Sequence, residues 1–423
     1  MKISRLLYCI AFALALALVI AVLRGKRQGK SPANAFEVTV LVANRPEFKP
    51  TAFVDPKVIN PWGIALRPPG AGGHIWISNA GNATTTLYIG DANGMPLTQD
   101  GLKVVTIDGP LISFEDGLTN VTGQVYNAAS DVPGQPVEFL VKGPASNLTS
   151  GKPVPLGESS GAAKFVFVTT DGTINAWRAK TAESMGSAII VKDFSQKGKD
   201  QDTSLKYLAA YTGVAMTTSS FTTGADGKPV ADNRLYVTDF QNNRIQTFNN
   251  RWEEITAQVP FARPAGMPED YSPYNIQWLG DKLCVVYAAL DLSADEPAVD
   301  APGKGVGHVA FFDRDGHLLR EMSDKDLLNS PWGVVICPKG FGDFGGDLLV
   351  ANFGDGTIAA FRPETGIFHD YLRDPAGKPL VLDGLWGLTF GNGVSLGDAQ
   401  SLYYTAGPNN EQDGVLGRIK MAK

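Results

Sequence analysis

Three stretches of the chain, far apart in sequence, are near copies of one another, and this internal repeat constrains the fold more than any other feature. They are Asn60-Pro-Trp-Gly-Ile-Ala-Leu66, Ser330-Pro-Trp-Gly-Val-Val-Ile336 and Gly384-Leu-Trp-Gly-Leu-Thr-Phe390. A second apolar run follows each copy, for example Asp347-Leu-Leu-Val-Ala-Asn-Phe-Gly354. Repetition of one supersecondary unit predicts an architecture built from neighbouring copies of that unit.

Weaker copies of the unit fill the intervals between the strong ones. They begin near Asn120, Tyr211 and Tyr274, which brings the total to about six units. In the clearest unit, third and fourth apolar runs follow after tight turns, as in Gly356-Thr-Ile-Ala-Ala-Phe361 and Ile367-Phe-His-Asp-Tyr-Leu372. Four antiparallel strands recurring about every 60 residues are typical of propeller blades. The repeat therefore predicts an all-β fold, a six-bladed β-propeller of four-stranded antiparallel blades.

The last unit supplies a prediction of how the ring closes. It has only three candidate strands, the last of which is Val415-Leu-Gly-Arg-Ile-Lys420, whereas the alternating run Phe36-Glu-Val-Thr-Val-Leu-Val42 has no unit of its own. Pairing this N-terminal strand with the last blade closes the ring and removes a sheet edge. We predict one propeller domain over residues 36–423, with a Pro- and Gly-rich loop insertion at about 128–163.

The N-terminal segment, residues 1–35, reads as a targeting sequence. Lys2 and Arg5 precede an apolar stretch at 6–23, a basic linker follows, and an Ala-x-Ala pattern ends at Ala35. This pattern predicts either a signal peptide cleaved near Ala35 or an uncleaved membrane anchor through residues 6–23. Both alternatives predict an exported propeller, located in the periplasm, in the cell envelope or outside the cell. A closed ring needs no partner to cover a sheet edge, so we predict a monomer.

Charge, cysteine and motif content exclude several classes of function. The formal net charge is -6 without a basic stripe, which excludes nucleic acid as the expected partner. Cys284 and Cys337 lie in apolar runs, which favours buried free thiols over a disulfide between them. The four histidines do not fall at the predicted channel, and no complete catalytic motif is recognisable. The expected partner is a glycan, a peptide or a protein.

Polar residues recur at one end of the predicted blades. In a four-stranded antiparallel blade, the loop before the innermost strand and the loop between strands two and three lie on the same face. The residues predicted to converge there are Asn60, Asn120, Asn275, Asn329 and Asp383 from the first set of loops, and Asn79, Asp171, Asp239, Asp291, Asn352 and Asn409 from the second. Such a ring of oxygens can bind a hard cation such as Ca²⁺ or hold a polar ligand. Asn and Asp are also common in tight turns, and both interpretations stay open.

The tryptophans of the repeat have two possible roles as well. Trp62, Trp332 and Trp386 occupy matching positions of the innermost strands. We predict that they pack between adjacent blades; stacking on a sugar or hydrophobic ligand at the channel mouth is the alternative.

The motifs also resemble known families. Asn60-Pro-Trp-Gly63, Pro273-Tyr-Asn-Ile-Gln277 and Asp383-Gly-Leu-Trp-Gly387 resemble an uncharacterised family of exported bacterial six-bladed β-propeller proteins. The segment Tyr236-Val-Thr-Asp-Phe-Gln-Asn-Asn-Arg-Ile245 is more distantly similar to NHL repeats and, through them, to the gluconolactonase and regucalcin group. The last resemblance implies a divalent metal held by Glu, Asn and Asp at the channel mouth; this chain has Asn and Asp there but no evident matching Glu.

Two functional hypotheses follow. The first, which we favour, is a non-enzymatic ligand- or protein-binding scaffold that presents its loop face to a partner, because a fold alone does not specify a function. The second is a divalent-metal-dependent hydrolase of the lactonase class. In it, Asp239, Asn275 and Asn352 would hold Ca²⁺ or another divalent metal, and a coordinated water would be the nucleophile.

Overall fold

The computed structural model of the chain describes residues 34–68, 72–110, 119–128, 137–147, 154–180, 183–196, 200, 203–218, 221–223, 227, 229–322 and 324–422. Within these ranges, no helix could serve as a membrane span. Short 3-10 helices occur at Pro46–Phe48, Ala80–Asn82, Thr256–Gln258 and Gly342–Phe344. Residues 1–33, which carry the predicted leader, lie outside the described ranges.

Nearly all regular structure is β-strand. The strands are, in chain order, β1 (Phe36–Ala43), β2 (Phe53–Val54), β3 (Pro61–Ala65), β4 (Ile75–Asn79), β5 (Thr84–Tyr88), β6 (Val104–Ile107), β7 (Val121–Tyr126), β8 (Leu140–Asn147), β9 (Val154–Ala162), β10 (Phe165–Thr169), β11 (Thr173–Trp177), β12 (Ala179–Lys180), β13 (Glu183–Met185), β14 (Ser187–Asp193), β15 (Tyr211–Met216), β16 (Phe221–Thr223), β17 (Pro229–Ala231), β18 (Leu235–Asp239), β19 (Arg244–Phe248), β20 (Tyr271–Leu279), β21 (Lys282–Ala289), β22 (His308–Phe312), β23 (Leu318–Glu321), β24 (Pro331–Ile336), β25 (Leu348–Asn352), β26 (Ile358–Arg362), β27 (Ile367–Tyr371), β28 (Leu385–Phe390), β29 (Leu402–Ala406) and β30 (Val415–Met421).

These strands form repeated antiparallel units. Counted from the innermost strand outward, unit 1 is β3-β4-β5-β6, unit 2 is β7-β10-β11-β14, unit 3 is β15-β18-β19, unit 4 is β20-β21-β22-β23, unit 5 is β24-β25-β26-β27 and unit 6 is β28-β29-β30-β1. The outermost strands of units 1 and 2 pair in parallel, which joins both units in one eight-stranded sheet. The predicted all-β propeller class is confirmed.

The predicted pairing of the two ends of the domain is present. Strand β1 runs antiparallel to β30, from Phe36 opposite Met421 to Ala43 opposite Val415. Phe36 is fully buried, and its ring stacks on Phe341 of unit 5 with 4.8 Å between ring centroids. The alternating N-terminal run therefore completes unit 6 because it supplies both backbone hydrogen-bonding groups for β30 and apolar side chains for the core.

The Trp-Gly pairs of the repeat allow neighbouring innermost strands to approach closely. A Cβ atom on Gly333 would lie 2.3 Å from the backbone oxygen of Trp386, and one on Gly387 would lie 2.6 Å from that of Trp62. Only glycine tolerates such an approach. The innermost strands contact one another in the order β3, β7, β15, β20, β24 and β28, and β28 contacts β3 again. The ring is therefore closed.

The residue just before the innermost strand has the same left-handed backbone conformation in the three strong copies of the repeat. Asn60, Ser330 and Gly384 occupy this position, with φ values of 44°, 45° and 65°. Left-handed backbone is favourable for Gly and tolerated by Asn, whereas it is costly for most other residues. This turn directs the chain from the loop face into the axis of the ring.

The predicted loop insertion contains regular structure. Strands β8 and β9 form a hairpin that joins β12 and β13 in a separate four-stranded sheet. Phe139, at its start, is buried edge-on against Trp252 of unit 3, with 5.0 Å between ring centroids. The Pro- and Gly-rich composition predicts a loop, but backbone pairing and this aromatic contact order the segment. Residues 129–136 and 148–153 of the insertion lie outside the described ranges.

The two cysteines of the propeller are free and buried, as predicted. Burial raises the pKa of both thiols, Cys284 and Cys337, so neither has the character of a reactive thiolate.

Candidate functional site at the channel mouth

The tryptophans of the repeat meet on the axis of the ring. Trp62 stacks on Trp386 with 3.6 Å between ring centroids, and Trp332 lies edge-on to both at 5.8 Å. Tyr274 contacts Trp62 and Trp386 edge-on, and Phe353 stacks on Trp386. We call these five residues the axial cluster. The tryptophans thus pack, but against one another across several units, because the close approach of the innermost strands brings their side chains together.

Two acidic residues lie over the axial cluster, and we call their position the channel mouth. The Asp300 Oδ1 atom accepts a hydrogen bond of 3.1 Å from the Tyr274 hydroxyl. The Glu411 carboxylate accepts one from the Asn60 amide, and the Asn60 side-chain oxygen accepts one of 3.1 Å from the Trp386 indole. Both carboxylates are therefore tied to the axial cluster, Asp300 directly and Glu411 through Asn60.

The electrostatic environment of this acidic pair is negative. Burial raises the pKa of Glu411, and the negative charges of Asp300 and Glu296 raise it further. Burial also raises the pKa of Asp300, against the lowering effect of nearby Ser330 and Tyr274. Among the described residues, no Lys or Arg contributes to either shift. The pair therefore lacks the compensating cation that buried carboxylates usually have.

Several buried polar atoms around the pair have no hydrogen-bond partner within the described part of the chain. They are Asp300 Oδ2, Trp62 Nε1 and Ser330 Oγ, none of which makes a hydrogen bond of ordinary length and angle to a described residue. Trp62 and Ser330 nevertheless lie close enough to Glu411 and Asp300, respectively, to lower the pKa of each acid. Trp62 is 7 % exposed and Ser330 is fully buried. Buried polar atoms in proteins are satisfied in the great majority of cases, so these three leave hydrogen-bonding capacity for a polar group at the channel mouth.

The backbone around the mouth is strained. Asn409, Asn410 and Glu411 are three consecutive residues with positive φ, at 58°, 53° and 64°, and Ala298 has a φ of 60°. This region is unfavourable for Glu and Ala because Cβ crowds the carbonyl oxygen. Strain of this kind persists where the surrounding structure enforces it, and it concentrates at ligand and active sites.

One loop connects the mouth to a neighbouring cavity. The connection between β21 and β22 is closed at its base by a bridge between Leu290 and Asp300, and Asp291 donates its N–H to the Val299 oxygen at 2.9 Å. The outer part of this loop lines a cleft of about 350 Å³, which we call the side cleft. It lies over unit 3, between the loop, the Thr170–Asp171 turn of unit 2 and residues 207–209.

The structure brings some of the residues predicted for the ring together. Asp171 and Asp291 line the side cleft, and Asn60 reaches the channel mouth. The remaining pairs are local: Asn329 donates its N–H to Asn352 at 3.2 Å, and Asn409 donates its N–H to Asp383 at 3.0 Å. The predicted loops therefore do share a face, but their Asn and Asp side chains form several small groups.

Two other residues predicted for the ring do not reach the channel mouth: one bonds within its own hairpin, and the other lies at the protein surface. Asn79 is buried and donates to the hydroxyls of Thr84 and Thr86 in its own hairpin, at 3.3 and 3.2 Å. Asn120 is exposed, and its backbone oxygen accepts the Thr170 N–H at 3.1 Å. Their contacts are those that turn chemistry predicts.

The three residues proposed as metal ligands are engaged by protein groups. The Asp239 carboxylate accepts from Arg244 at 2.9 Å and from Asn242. The Asn275 side-chain oxygen accepts the Ile276 N–H at 2.8 Å, and its amide donates to the Trp332 oxygen at 2.9 Å.

The third of these residues, Asn352, accepts the Asn329 N–H through its side-chain oxygen. The trio thus offers no open oxygen cage of the kind that Ca²⁺ requires. Among the described residues, no group of three or more His, Cys, Asp or Glu side chains is arranged to hold a metal ion. A metal at these residues stays a prediction that their hydrogen bonding does not favour.

Chelation tests this prediction directly. We expect EDTA to leave the melting temperature of the purified protein unchanged, because protein groups already engage the three proposed ligands. A bound metal would give the opposite result, since a ligand that binds only the folded state stabilises it and its removal lowers the melting temperature. As a control, Asp239→Asn should destabilise the protein by about 3 kcal/mol with or without EDTA, because it leaves the Arg244 guanidinium without its buried carboxylate. A stoichiometric divalent ion whose removal lowers the melting temperature would contradict this expectation.

Sequence reasoning missed Asp300, Glu411 and Glu296. Glu411 lies two residues after Asn409 in the same connection, but it does not match the Asn and Asp pattern from which the ring is predicted. Asp300 and Glu296 lie well inside a long loop, whereas the pattern identifies only its first acidic residue, Asp291. Only the folded loop shows which of its carboxylates points to the axis.

Comparisons with known proteins do not assign the site. No protein-family model matches the chain. An uncharacterised protein of Acanthamoeba polyphaga mimivirus is 26% identical over 389 residues, which are 91% of this chain and 80% of the relative. A second one is 32% identical over 196 residues, 46% of this chain, and the chain spans half of its length. A third is 28% identical over 240 residues, and the chain spans 40% of its length.

Solved structures with a similar arrangement include enzymes. A virginiamycin B lyase from Staphylococcus aureus has a TM-score of 0.43 and 13% identity, covering 92% of this chain and 100% of its own. A GH93 α-L-arabinofuranosidase of Fusarium graminearum has a TM-score of 0.45 and 13% identity, covering 91% of this chain and 98% of its own. At these values neither likeness bears on the chemistry of the site.

Proposed function

We propose that this chain is a ligand-binding β-propeller whose channel mouth takes a cationic group, the guanidinium or ammonium of a basic side chain on a peptide or protein partner. The observation that carries the proposal is the buried Asp300 Oδ2 atom, which has no hydrogen-bond partner among the described residues and lies near the Glu411 carboxylate. A guanidinium donates several N–H bonds in a fixed fork and would satisfy this oxygen and Glu411 together.

A cation also removes the electrostatic penalty of the site. Two carboxylates near each other in a partly buried position repel, and an opposite charge within a few ångströms favours their ionised forms. Trp62 and Ser330 stand beside Glu411 and Asp300 as donors, and both lower the pKa of the acid they approach. The surrounding groups are therefore arranged to support two ionised carboxylates once a cation balances them.

This proposal develops the binding hypothesis rather than the metal-dependent hydrolase hypothesis. The three residues proposed as metal ligands, Asp239, Asn275 and Asn352, are hydrogen-bonded to other protein groups. The predicted leader at residues 1–35 supports a location outside the cytoplasm for this binding. A peptide or protein partner fits an acidic mouth better than a neutral glycan does, because a glycan brings no charge to compensate the carboxylates.

The test compares two probes of the same shape and different charge. We expect argininamide to bind, measured by calorimetry and by tryptophan fluorescence, and citrullinamide to bind at least about tenfold more weakly, a difference of about 1.4 kcal/mol. Asp300→Asn and Glu411→Gln should each remove this discrimination. Asp281→Asn is the matched control, because its exposed carboxylate lies in the β20–β21 turn at the other end of the blade.

The pH dependence of argininamide binding is a second readout of the same site. The pKa values of Glu411 and Asp300 are raised, so lowering the pH protonates them before ordinary carboxyls, whose pKa values are about 4. A bound cation favours the ionised forms of both carboxyls. The affinity should therefore increase as the pH rises through the two raised pKa values and should level off once both groups are ionised. Equal binding of the two probes, or pH-independent binding, would refute the proposal.

A further inference from the structure

The side cleft has the size and shape of a ligand subsite. Its volume of about 350 Å³ lies within the range of about 300–1,000 Å³ that small-ligand pockets occupy. Segments of three units form its walls. Unit 2 contributes the Thr170–Asp171 turn, unit 3 contributes residues 207–209 and Gln241, and unit 4 contributes the Asp291–Pro297 stretch of the loop that continues to the mouth.

The lining of the cleft combines apolar surface with negative charge. Leu292 is 59 % exposed although it lies in a concavity, and Tyr207 and Pro297 are half-buried beside it. The Ser293 hydroxyl and N–H hold the pKa of Asp291 below its usual range, so this carboxylate is ionised at neutral pH.

Further acidic residues reinforce this charge. Asp295 and Glu296 line the cleft as well, and no Lys or Arg is among its described lining residues. The exposed Lys206 flanks the cleft, and its ammonium lies 4.6 Å from the centre of the Tyr207 ring. The cleft therefore disfavours anionic ligands and suits an aliphatic group carried by a cationic molecule.

The cleft and the mouth are parts of one surface. Glu296 lines the cleft, and its charge raises the pKa of Glu411 at the mouth. Ala298 is buried against the axial cluster, and its N–H donates to the side-chain oxygen of Gln241, a cleft residue, at 2.8 Å. The loop from Leu290 to Asp300 thus contributes residues to both sites.

We propose that the side cleft is a second subsite, which holds an aliphatic side chain of the same peptide whose basic side chain enters the channel mouth. This proposal rests on the proposed function, because it uses the mouth as the anchor. It specifies the partner as a peptide segment with one basic and one aliphatic residue a short distance apart. Charge complementarity and the exposed Leu292 carry the choice of this occupant.

The test uses N-acetylated peptide amides with arginine, zero to three glycines and a terminal leucine. Each is compared with the same peptide ending in glycine, and all are measured by calorimetry on the full propeller. We expect the leucine to improve affinity by about tenfold at one spacer length, since burial of a leucine side chain accounts for a change of this size. Leu292→Ser should abolish the gain and leave the affinity for argininamide unchanged.

The outcomes separate the two proposals. If argininamide does not bind in preference to citrullinamide, the proposed function fails and the cleft inference fails with it. If argininamide binds as expected but leucine adds nothing at any spacer length, the cleft inference alone is overturned. The same holds if the gain survives Leu292→Ser. Leu319→Ser, which changes a similarly exposed leucine on the outer strand β23, should keep the full gain.

Discussion

Replacing Trp386 with alanine is expected to destabilise the propeller by about 3–5 kcal/mol, the range for truncation of a large buried aromatic side chain. Trp386 is fully buried, stacks between Trp62 at 3.6 Å and Phe353 at 3.9 Å, and donates its indole N–H to Asn60. The cavity would open on the axis, where close contact between innermost strands prevents collapse around it. Chemical denaturation followed by circular dichroism measures the change.

Two further variants make this prediction specific. Trp386→Phe keeps an aromatic ring but removes the donor to Asn60, so it should cost clearly less than the alanine variant and still weaken argininamide binding through Glu411. Trp278→Ala removes a half-buried tryptophan from the outer end of β20 and should cost less than either axial truncation. A loss below about 1 kcal/mol for Trp386→Ala would mean that the axial cluster does not support the ring.

The fold could be predicted because its repeat encodes local and long-range requirements in the same few residues. The position of Asn60 and Ser330 requires a left-handed turn, and Gly333 and Gly387 permit contact between neighbouring innermost strands. Such constraints recur in every strong copy, so they are visible as a motif. The closing strand was predictable for a different reason, since one unit lacked a strand and one alternating run lacked a unit.

The ordered insertion and the arrangement of the tryptophans were harder to predict from the sequence. The β8–β9 hairpin is ordered partly by the packing of Phe139 on Trp252, a contact between distant segments that composition does not reveal. Likewise, the repeat shows that Trp62 and Trp386 are equivalent, but whether equivalent side chains fill the gaps between blades or meet on the axis depends on how closely the innermost strands approach.

The acidic pair illustrates a stronger limit. Asp300 and Glu411 belong to connections of different lengths in units 4 and 6, so no shared spacing marks them. The residues that do share a spacing, such as Asn79 and Asn352, donate hydrogen bonds to threonine hydroxyls of their own hairpins. In a repeat protein, the regular positions serve the fold, and the side chains that depart from regularity are free to form a site.

Deletion of residues 34–44 is expected to abolish cooperative folding, although it removes no residue of the channel mouth. The deletion strips β1 from unit 6, exposes the edge of β30 and removes the buried Phe36 and Val42 side chains from the core. An unpaired edge invites association with other chains. We expect the shortened protein to aggregate or to unfold without a sharp transition in thermal melts. A chain that begins at Asn34 and keeps β1 should unfold in one sharp transition.

A circular permutant is the matched control, because it changes the connectivity and keeps every strand. Phe36 lies opposite Met421, so a short glycine linker can join the two ends of unit 6. The new ends can be placed in the two-residue turn at Gly280 and Asp281, where the chain is exposed and nothing packs against Gly280. This permutant should melt cooperatively and bind argininamide, since its ring stays closed. If the deletion variant behaved in the same way, the pairing of β1 with β30 would not be what closes the ring.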